Sequence, residues 1–217
     1  MMADEAEGVL GIWHDIREGR TADFEFWYRS EHFPERLGVP GFRVGRRFEA
    51  AAGAPRYLCY YLADTPEVFT SAAYVERLNN PTPLTHSMMS DAFFNMNRTV
   101  CRRIRRYGDL FGALCVTARF QEPIDHARAL PMLETLVATE GIARGELWEM
   151  AERQDAIAAE EKLRGGDRKI AACIMVEALR LSDAERVRDE LQREFGADAE
   201  IGIYRLLCQL TSAPSKT

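Results

Sequence analysis

The chain has few histidines, few cysteines and no apolar run long enough to cross a membrane, and each scarcity removes a class of function. Four histidines stand among 217 residues, with no HxH, HxxxH or facial-triad spacing, so a resident metal is not expected. Five cysteines, Cys59, Cys101, Cys115, Cys173 and Cys208, occur singly, without the CxxC or His-Cys pattern of a zinc site. They read as small, reduced core residues, because an odd number in an oxidising compartment leaves one thiol over. No stretch approaches the roughly 18 apolar residues of a membrane span. The opening MMADEAEG is acidic where a signal peptide is basic, so a cytoplasmic location away from membranes is expected. GxGxxG, the P-loop and GxSxG are missing too, which removes the common nucleotide and serine-hydrolase readings. A net charge of −6 argues against a nucleic-acid partner.

What is present is material for a folded core: 47% of residues are hydrophobic and 29% charged, enough for one large domain or two small ones. The chain then says much the same thing twice. Gly8-Val9-Leu10-Gly11-Ile12 aligns with Gly112-Ala113-Leu114-Cys115-Val116, each an apolar, strand-prone run opened by glycine. PGFRVGRRFEA from Pro40 lies against EGIARGELWEM from Glu140, matching Gly41 to Gly141, Gly45 to Gly145, Phe48 to Trp148 and Glu49 to Glu149. RYLCYYL from Arg56 corresponds to KIAACIMVEAL from Lys169. Helices are predicted over Thr21 to His32 and His126 to Thr139. A second pair is predicted over Pro66 to Asn79, with Thr65 as N-cap and a stripe of Val68, Ala72 and Val75, and over Ser182 to Phe195, with a Ser182/Glu185 capping box and Gly196 as terminator. Closing strands run over Arg98 to Tyr107 and Glu200 to Leu210. Residues 8–107 and 108–210 thus each read β-α-β-β-α-β, the split βαβ motif, and the second carries a charged insertion at about 151–168 taken as a surface excursion.

The segment EFWYRSEHFPERLGVPGFRVGRRFEA, through Trp27, Tyr28, His32, Pro34, Pro40, Gly41 and Phe42, resembles the dimeric α/β-barrel superfamily of ferredoxin-like domains, its EthD-like members in particular. The second half has no WYxxxH segment. The resemblance implies an α+β chain of two tandem ferredoxin-like repeats whose antiparallel sheets pack into an intramolecular α/β barrel. A cavity would lie either between sheet and helices or inside the barrel. It further implies cofactor-free chemistry of lyase, isomerase or oxygenase type on a small hydrophobic, aromatic or polyketide-like compound. The alternative is a non-catalytic binding or accessory protein with the same cavity. Some branches bind haem, but the second half offers only His126 as a ligand, so no cofactor is expected.

His32 leads the candidates. Phe24, Trp27, Tyr28, Glu31 and His32 fall on one helical face, and His32 just before Pro34 reads as a helix C-terminus, where the macrodipole favours its charged form. Arg46 shares the inward alternation of Phe42, Val44 and Phe48, so it is read as the one inward arginine of the Arg46-Arg47 pair. There it could hold a developing oxyanion or pair with a buried acid such as Glu31. His14 alternates with Leu10, Ile12 and Ile16 toward the helices, which leaves Trp13 facing the barrel. Trp13, Tyr60 and Tyr61 suit stacking on a flat substrate or plain core packing. Trp27 and Tyr28 would border the pocket. His86 follows a proline-rich segment, Asn79 to His86, that reads as a lid or a mere connector. RTVCRRIRRY reads as a solvated edge strand. Whether copies of the chain associate into a homo-oligomer stays open.

Overall fold

The computed structural model describes residues 7–151, 163 and 166–212. Most of the 151–168 insertion, and the acidic opening apart from Glu7 and Gly8, lie outside the described residues. The strands are β1 (Gly8–Ile16), β2 (Phe42–Ala52), β3 (Tyr57–Ala63), β4 (Phe93–Tyr107), β5 (Leu114–Phe120), β6 (Ile142–Met150), β7 (Ala172–Ala178) and β8 (Ala199–Thr211). They close into one antiparallel barrel in the order β1-β3-β2-β8-β5-β7-β6-β4. Side chains fill the inside, and helices cover the outside. That arrangement explains β3 and β7, whose residues are all buried, because each strand has a covered face on both sides. In β3, Tyr57, Cys59, Tyr61 and Ala63 face the helices, while Leu58, Tyr60 and Leu62 join Val9, Trp13 and Phe48 inside the barrel.

The registers of the two halves correspond residue for residue. Gly11 pairs with Tyr60 and Thr99, and Thr117 pairs with Met175 and Gly202. Phe48 pairs with Leu206 of the other half, and Trp148 with Arg103. Even the irregularities recur, between Phe42 and Val44 in one half and between Ile142 and Arg144 in the other. The register equates Gly11 with Thr117, and so shifts the sequence alignment of the opening runs by two residues. Glycine is required twice at one place: a Cβ on Gly45 would collide with Phe33, and one on Gly145 would come within 2.5 Å of Leu133. Helix packs directly on bare backbone there, which accounts for the Gly45/Gly145 match.

The helices depart from expectation. The first does not end before Pro34: α1 (Thr21–Trp27) passes through a π-turn (Tyr28–His32) into α2 (Phe33–Leu37). The Phe33 N–H reaches back five residues to the Tyr28 carbonyl. This wide turn displaces the carbonyl with which a proline ring collides in a regular helix. Pro66–Thr70 is only a 3-10 turn. The true helix α3 (Ala72–Asn79) is capped by Ser71, whose Oγ accepts the Tyr74 N–H, and it buries Tyr74 and Leu78 while Val75 stays exposed. The proline-rich segment runs into a further helix, α4 (Pro83–Asp91), capped by Thr82. In the second half α5 (His126–Val137) is capped by Asp125. The last helix, α6 (Leu181–Phe195), buries Val187, Leu191 and Phe195 as their spacing predicts and stops at Gly196, but the Ser182/Glu185 capping box does not form; Arg180 occupies the cap without a side-chain bond. Among the described residues no helix is long and apolar enough to cross a membrane.

RTVCRRIRRY is not an edge strand. β4 pairs with β1 on one side and β6 on the other, and closure leaves no edge to protect. Arg103 turns inward and pairs with Glu7 and Glu146. At this end of the barrel Glu146 also pairs with Arg144 and accepts from Trp148 Nε1 at 2.6 Å, while Glu177 pairs with Arg46 and accepts from Tyr60 (2.6 Å) and the Gly112 N–H (2.7 Å).

Candidate functional site

A cavity of about 40 Å³ lies between the outer face of the first-half sheet and its helices. On a measure in which one water needs ~10–15 Å³, it holds about three waters, and anything larger must displace a flexible wall residue such as Met89 or Met96. β1 supplies Leu10, Ile12 and His14, β3 supplies Cys59 and Tyr61, and β4 supplies Phe93, Met96 and Arg98. The helices supply Trp27, Tyr28, His32, Arg36, Tyr74 and Met89.

The π-turn sets the face that lines the cavity. Because it closes between residues five apart, it brings Trp27 and His32 onto one side, with ring centroids 4.2 Å apart. Arg36 follows one turn later. His32 is 6% exposed and stands inside a continuous helical run, not at a C-terminus, so the macrodipole argument for its charge does not apply. Trp27 is fixed by its indole N–H to Thr85 Oγ1 at 2.9 Å. Across the cavity His14 stacks on Tyr57 at 5.4 Å and meets Phe93 edge-on at 5.0 Å.

The floor is a chain of weak acids. The Tyr28 hydroxyl donates to Cys59 Sγ at 2.6 Å and lies 3.1 Å from the Tyr61 hydroxyl. Burial pushes the Cys59 thiol up to about 12 and raises both phenols well above their ordinary value, so all three are protonated donors at neutral pH. Arg98 donates to the Tyr74 hydroxyl at 2.9 Å, and the Arg36 guanidinium lies over the Tyr74 ring at 5.6 Å. Behind the wall Arg47 stacks on Phe24 and Tyr28, at 4.5 and 4.6 Å, and is held by both oxygens of Glu25.

The structure divides the residues singled out from sequence. His14, Trp27, Tyr28 and His32 share the cavity wall. Trp13, Arg46 and Tyr60 lie on the other side of the sheet, inside the barrel, so Arg46 cannot stabilise a charge formed at His32. The bulge after Phe42 puts that residue on the helix side while Val44, Arg46 and Phe48 point inward, and Arg46 pairs with Glu177 rather than Glu31. Glu31 instead accepts from Thr82 Oγ1 at 2.6 Å. Arg47 is buried as well, since both faces of the strand are covered. Trp13 donates to Thr117 at 3.3 Å. His86 lies on α4, exposed, beside Ser90 and away from the cavity. Arg36 and Arg98 were missed; the first would have followed from His32 by helical spacing had the helix been carried past Pro34.

In the second half the same layer is apolar. The register equates His14 with Phe120, Cys59 with Ile174, Tyr61 with Val176 and Arg98 with Ile201. All four counterparts are apolar and belong to or pack against one hydrophobic cluster. His126 lies outside that cluster with Nε2 2.5 Å from Glu149. A haem would need an axial imidazole in that layer, and His126, beside Glu149 and outside the cluster, does not supply it. Among the described residues no three metal-ligating side chains converge.

No protein-family model matches the sequence, and comparison with curated proteins finds no match. Solved structures do match. An anthrone oxidase-like protein aligns with a TM-score of 0.63 at 8% identity, over 97% of this chain and 94% of that one. A protein from Fusobacterium nucleatum described as a "putative monooxygenase" gives 0.61 at 6% identity, over 97% of both chains. A "putative chlorite dismutase" gives 0.56 at 11%, over 94% and 95%. Likeness at these identities shows the fold: an α+β, eight-stranded antiparallel barrel similar to the dimeric α/β-barrel proteins.

Proposed function

We propose that the chain is an EthD-like, tandemly duplicated member of this superfamily, residues 8–107 and 108–210 forming the two ferredoxin-like repeats. On this reading it is an enzyme acting without a cofactor on a small hydrophobic aromatic or polyketide-like compound in the first-half cavity. The observation that carries it is the replacement of the apolar layer of the second half by imidazoles, phenols and guanidinia in the first. The backbone closes without those groups, and burying them costs free energy that packing alone does not return. His32 is the acid–base group. It takes a proton from the substrate, worth roughly 10²- to 10⁴-fold in rate when well placed. The Tyr61 hydroxyl and the Arg36 guanidinium donate to the oxygen on which charge develops, taking over the part expected of Arg46, while Tyr28, whose O–H goes to Cys59 Sγ, accepts beside Tyr61. A preorganised donor of this kind contributes about 10²- to 10³-fold. The resulting anion is the shared intermediate of the lyase, isomerase and oxygenase reactions, and the fate of its electron pair separates them.

The small volume of the cavity favours a second reading, a non-catalytic carrier or accessory protein for the same hydrophobic compounds. His32→Gln separates the two. It retains size and hydrogen bonding but exchanges no proton at neutral pH, so an enzyme should lose at least 10²-fold in kcat with ligand affinity nearly unchanged. Full turnover in this variant rejects His32 as the base.

A further inference from the structure

Trp27, His32 and Met89 are buried around a space that holds about three waters, so any larger ligand needs a wall that yields. One wall element has no counterpart across the barrel. In the second half α6 passes into β8 through Gly196–Asp198 alone, whereas the first half inserts α4 between α3 and β4. α4 buries only Thr85, Met88 and Met89, where α6 buries Asp183, Ala184, Val187, Leu191 and Phe195. A helix of nine residues has little stability of its own in water, so its ties decide where it sits. Its far end is anchored, because the Ala92 carbonyl accepts the Arg17 N–H at 2.9 Å. Its near end follows Asn80 and Pro81, which belong to no helix.

Three side-chain ties join α4 to the first helix and its flanks. Thr82 Oγ1 donates to Glu31 at 2.6 Å, Thr85 Oγ1 accepts the Trp27 indole N–H at 2.9 Å, and Arg20 pairs with Asp91 at 2.5 Å. The Arg20 pair is largely solvated and holds weakly. Of the three, only the Thr85 bond is buried. Parting it releases Trp27, whose ring centroid lies 4.2 Å from that of His32, and draws Met89 away from the cavity.

We propose that α4 is a hinged door on the first-half cavity, swinging from Ala92 and latched by the Thr85–Trp27 hydrogen bond. Opening uncovers the floor with Cys59, and closing returns Trp27 to His32. The barrel itself stays folded, since ligand-admitting elements are drawn from the locally less stable parts of a structure. This inference rests on reading the cavity as a small-molecule site, and it adds how that site is entered.

Thiol labelling of the full-length protein tests the door without a ligand. Cys59 lines the cavity, Cys101, Cys115 and Cys173 lie in the cluster inside the barrel, and Cys208 is exposed. Methyl methanethiosulfonate is applied under native conditions, and the labelled peptides are followed in time by mass spectrometry. Cys208 should react first and Cys59 next, about tenfold or more ahead of the barrel cysteines, which open only on global unfolding. Thr85→Val keeps the shape of the side chain and removes the acceptor, so it should speed Cys59 about fivefold or more and leave the barrel cysteines unchanged. Thr85→Ser restores the acceptor and should return Cys59 toward its original rate. Cys59 labelled no faster than the barrel cysteines overturns the door, and this comparison within the unaltered protein holds whether or not Thr85→Val folds. A Cys59 rate that Thr85→Val leaves unchanged assigns entry to another wall and overturns the latch. The small-molecule reading is judged separately, by ligand affinity and turnover, on which these rates do not depend.

Discussion

The two halves of the barrel share a backbone plan and spend their outer layers differently. Between sheet and helices the second half is apolar: Val116, Ala118, Ile174, Val176, Leu133 and Leu191 belong to one cluster. The first half places His14, Cys59, Tyr61 and Arg98 at equivalent strand positions and leaves a cavity among them. Arg47 and Leu147 differ in the same sense. Inside the barrel the contrast disappears, because acids and bases there come from both halves and are matched: Arg46 with Glu177, Arg144 and Arg103 with Glu146. A buried charge beside its partner is a structural solution, and removing one side strands the other. A buried polar wall whose counterpart is apolar is not something the shared backbone plan requires. On the function proposed above, the interior network serves stability and the outer layer of the first half serves the ligand.

The largest expected effect falls on the interior. Glu177 is fully buried and accepts from Arg46, Tyr60 and the Gly112 backbone, joining β2, β3 and the start of the second half. Glu177→Gln leaves the Arg46 guanidinium without its counter-charge and should destabilise the fold by ~3–5 kcal/mol, on the order of 10 °C in Tm, by thermal and urea unfolding. A loss below about 1 kcal/mol would show that the network is not structural and erase the contrast between the layers.

A smaller effect concerns pH. Burial raises Cys59 and Cys101 to about 12 from an ordinary thiol value of 9.0, and raises Tyr28, Tyr60 and Tyr61 in the same direction. A group whose pKa is raised on folding contributes its stability in full below its unfolded pKa and loses it as pH climbs through the folded value. Stability should thus hold up to about pH 9 and decline toward pH 12. Cys59→Val, which moves this position toward the Ile174 of the second half, should shallow that alkaline limb without removing it. An unchanged limb in the variant means that Cys59 ionisation is not coupled to folding.

How much of this was legible in the sequence follows from which interactions are local. The barrel was readable because glycines and strand runs recur in order, and because Gly45 and Gly145 both answer to a helix on bare backbone. Alternation correctly placed Trp13 inward and His14 outward. Alternation placed Arg46 inward with Val44 and Phe48 and failed at Phe42, where a bulge exchanges the faces. The helix was cut short at Pro34 because a π-turn leaves no pattern of its own, and Arg36 was lost with it. Arg103 of β4 was misread since a closed barrel supplies partners, Glu7 and Glu146, that lie far away in sequence, while Arg102 and Arg105 are exposed as expected.

The smallest expected change in stability is also the sharpest test of the comparison. His14 is 2% exposed and lies among Phe24, Tyr57 and Phe93, with ring centroids between 5.0 and 5.4 Å. Its register counterpart is Phe120, which closes the same position in the second half against Phe195. A phenylalanine at position 14 keeps the aromatic contacts with Phe24, Tyr57 and Phe93, and that ring packing is the larger part of what the side chain contributes there. His14→Phe should therefore shift stability by less than about 1 kcal/mol, or roughly 3 °C in Tm, while weakening ligand binding in the cavity it borders. If instead it destabilises by more than ~2 kcal/mol, His14 is part of what holds the first half together, and the polar wall there belongs to the fold as much as the interior network does.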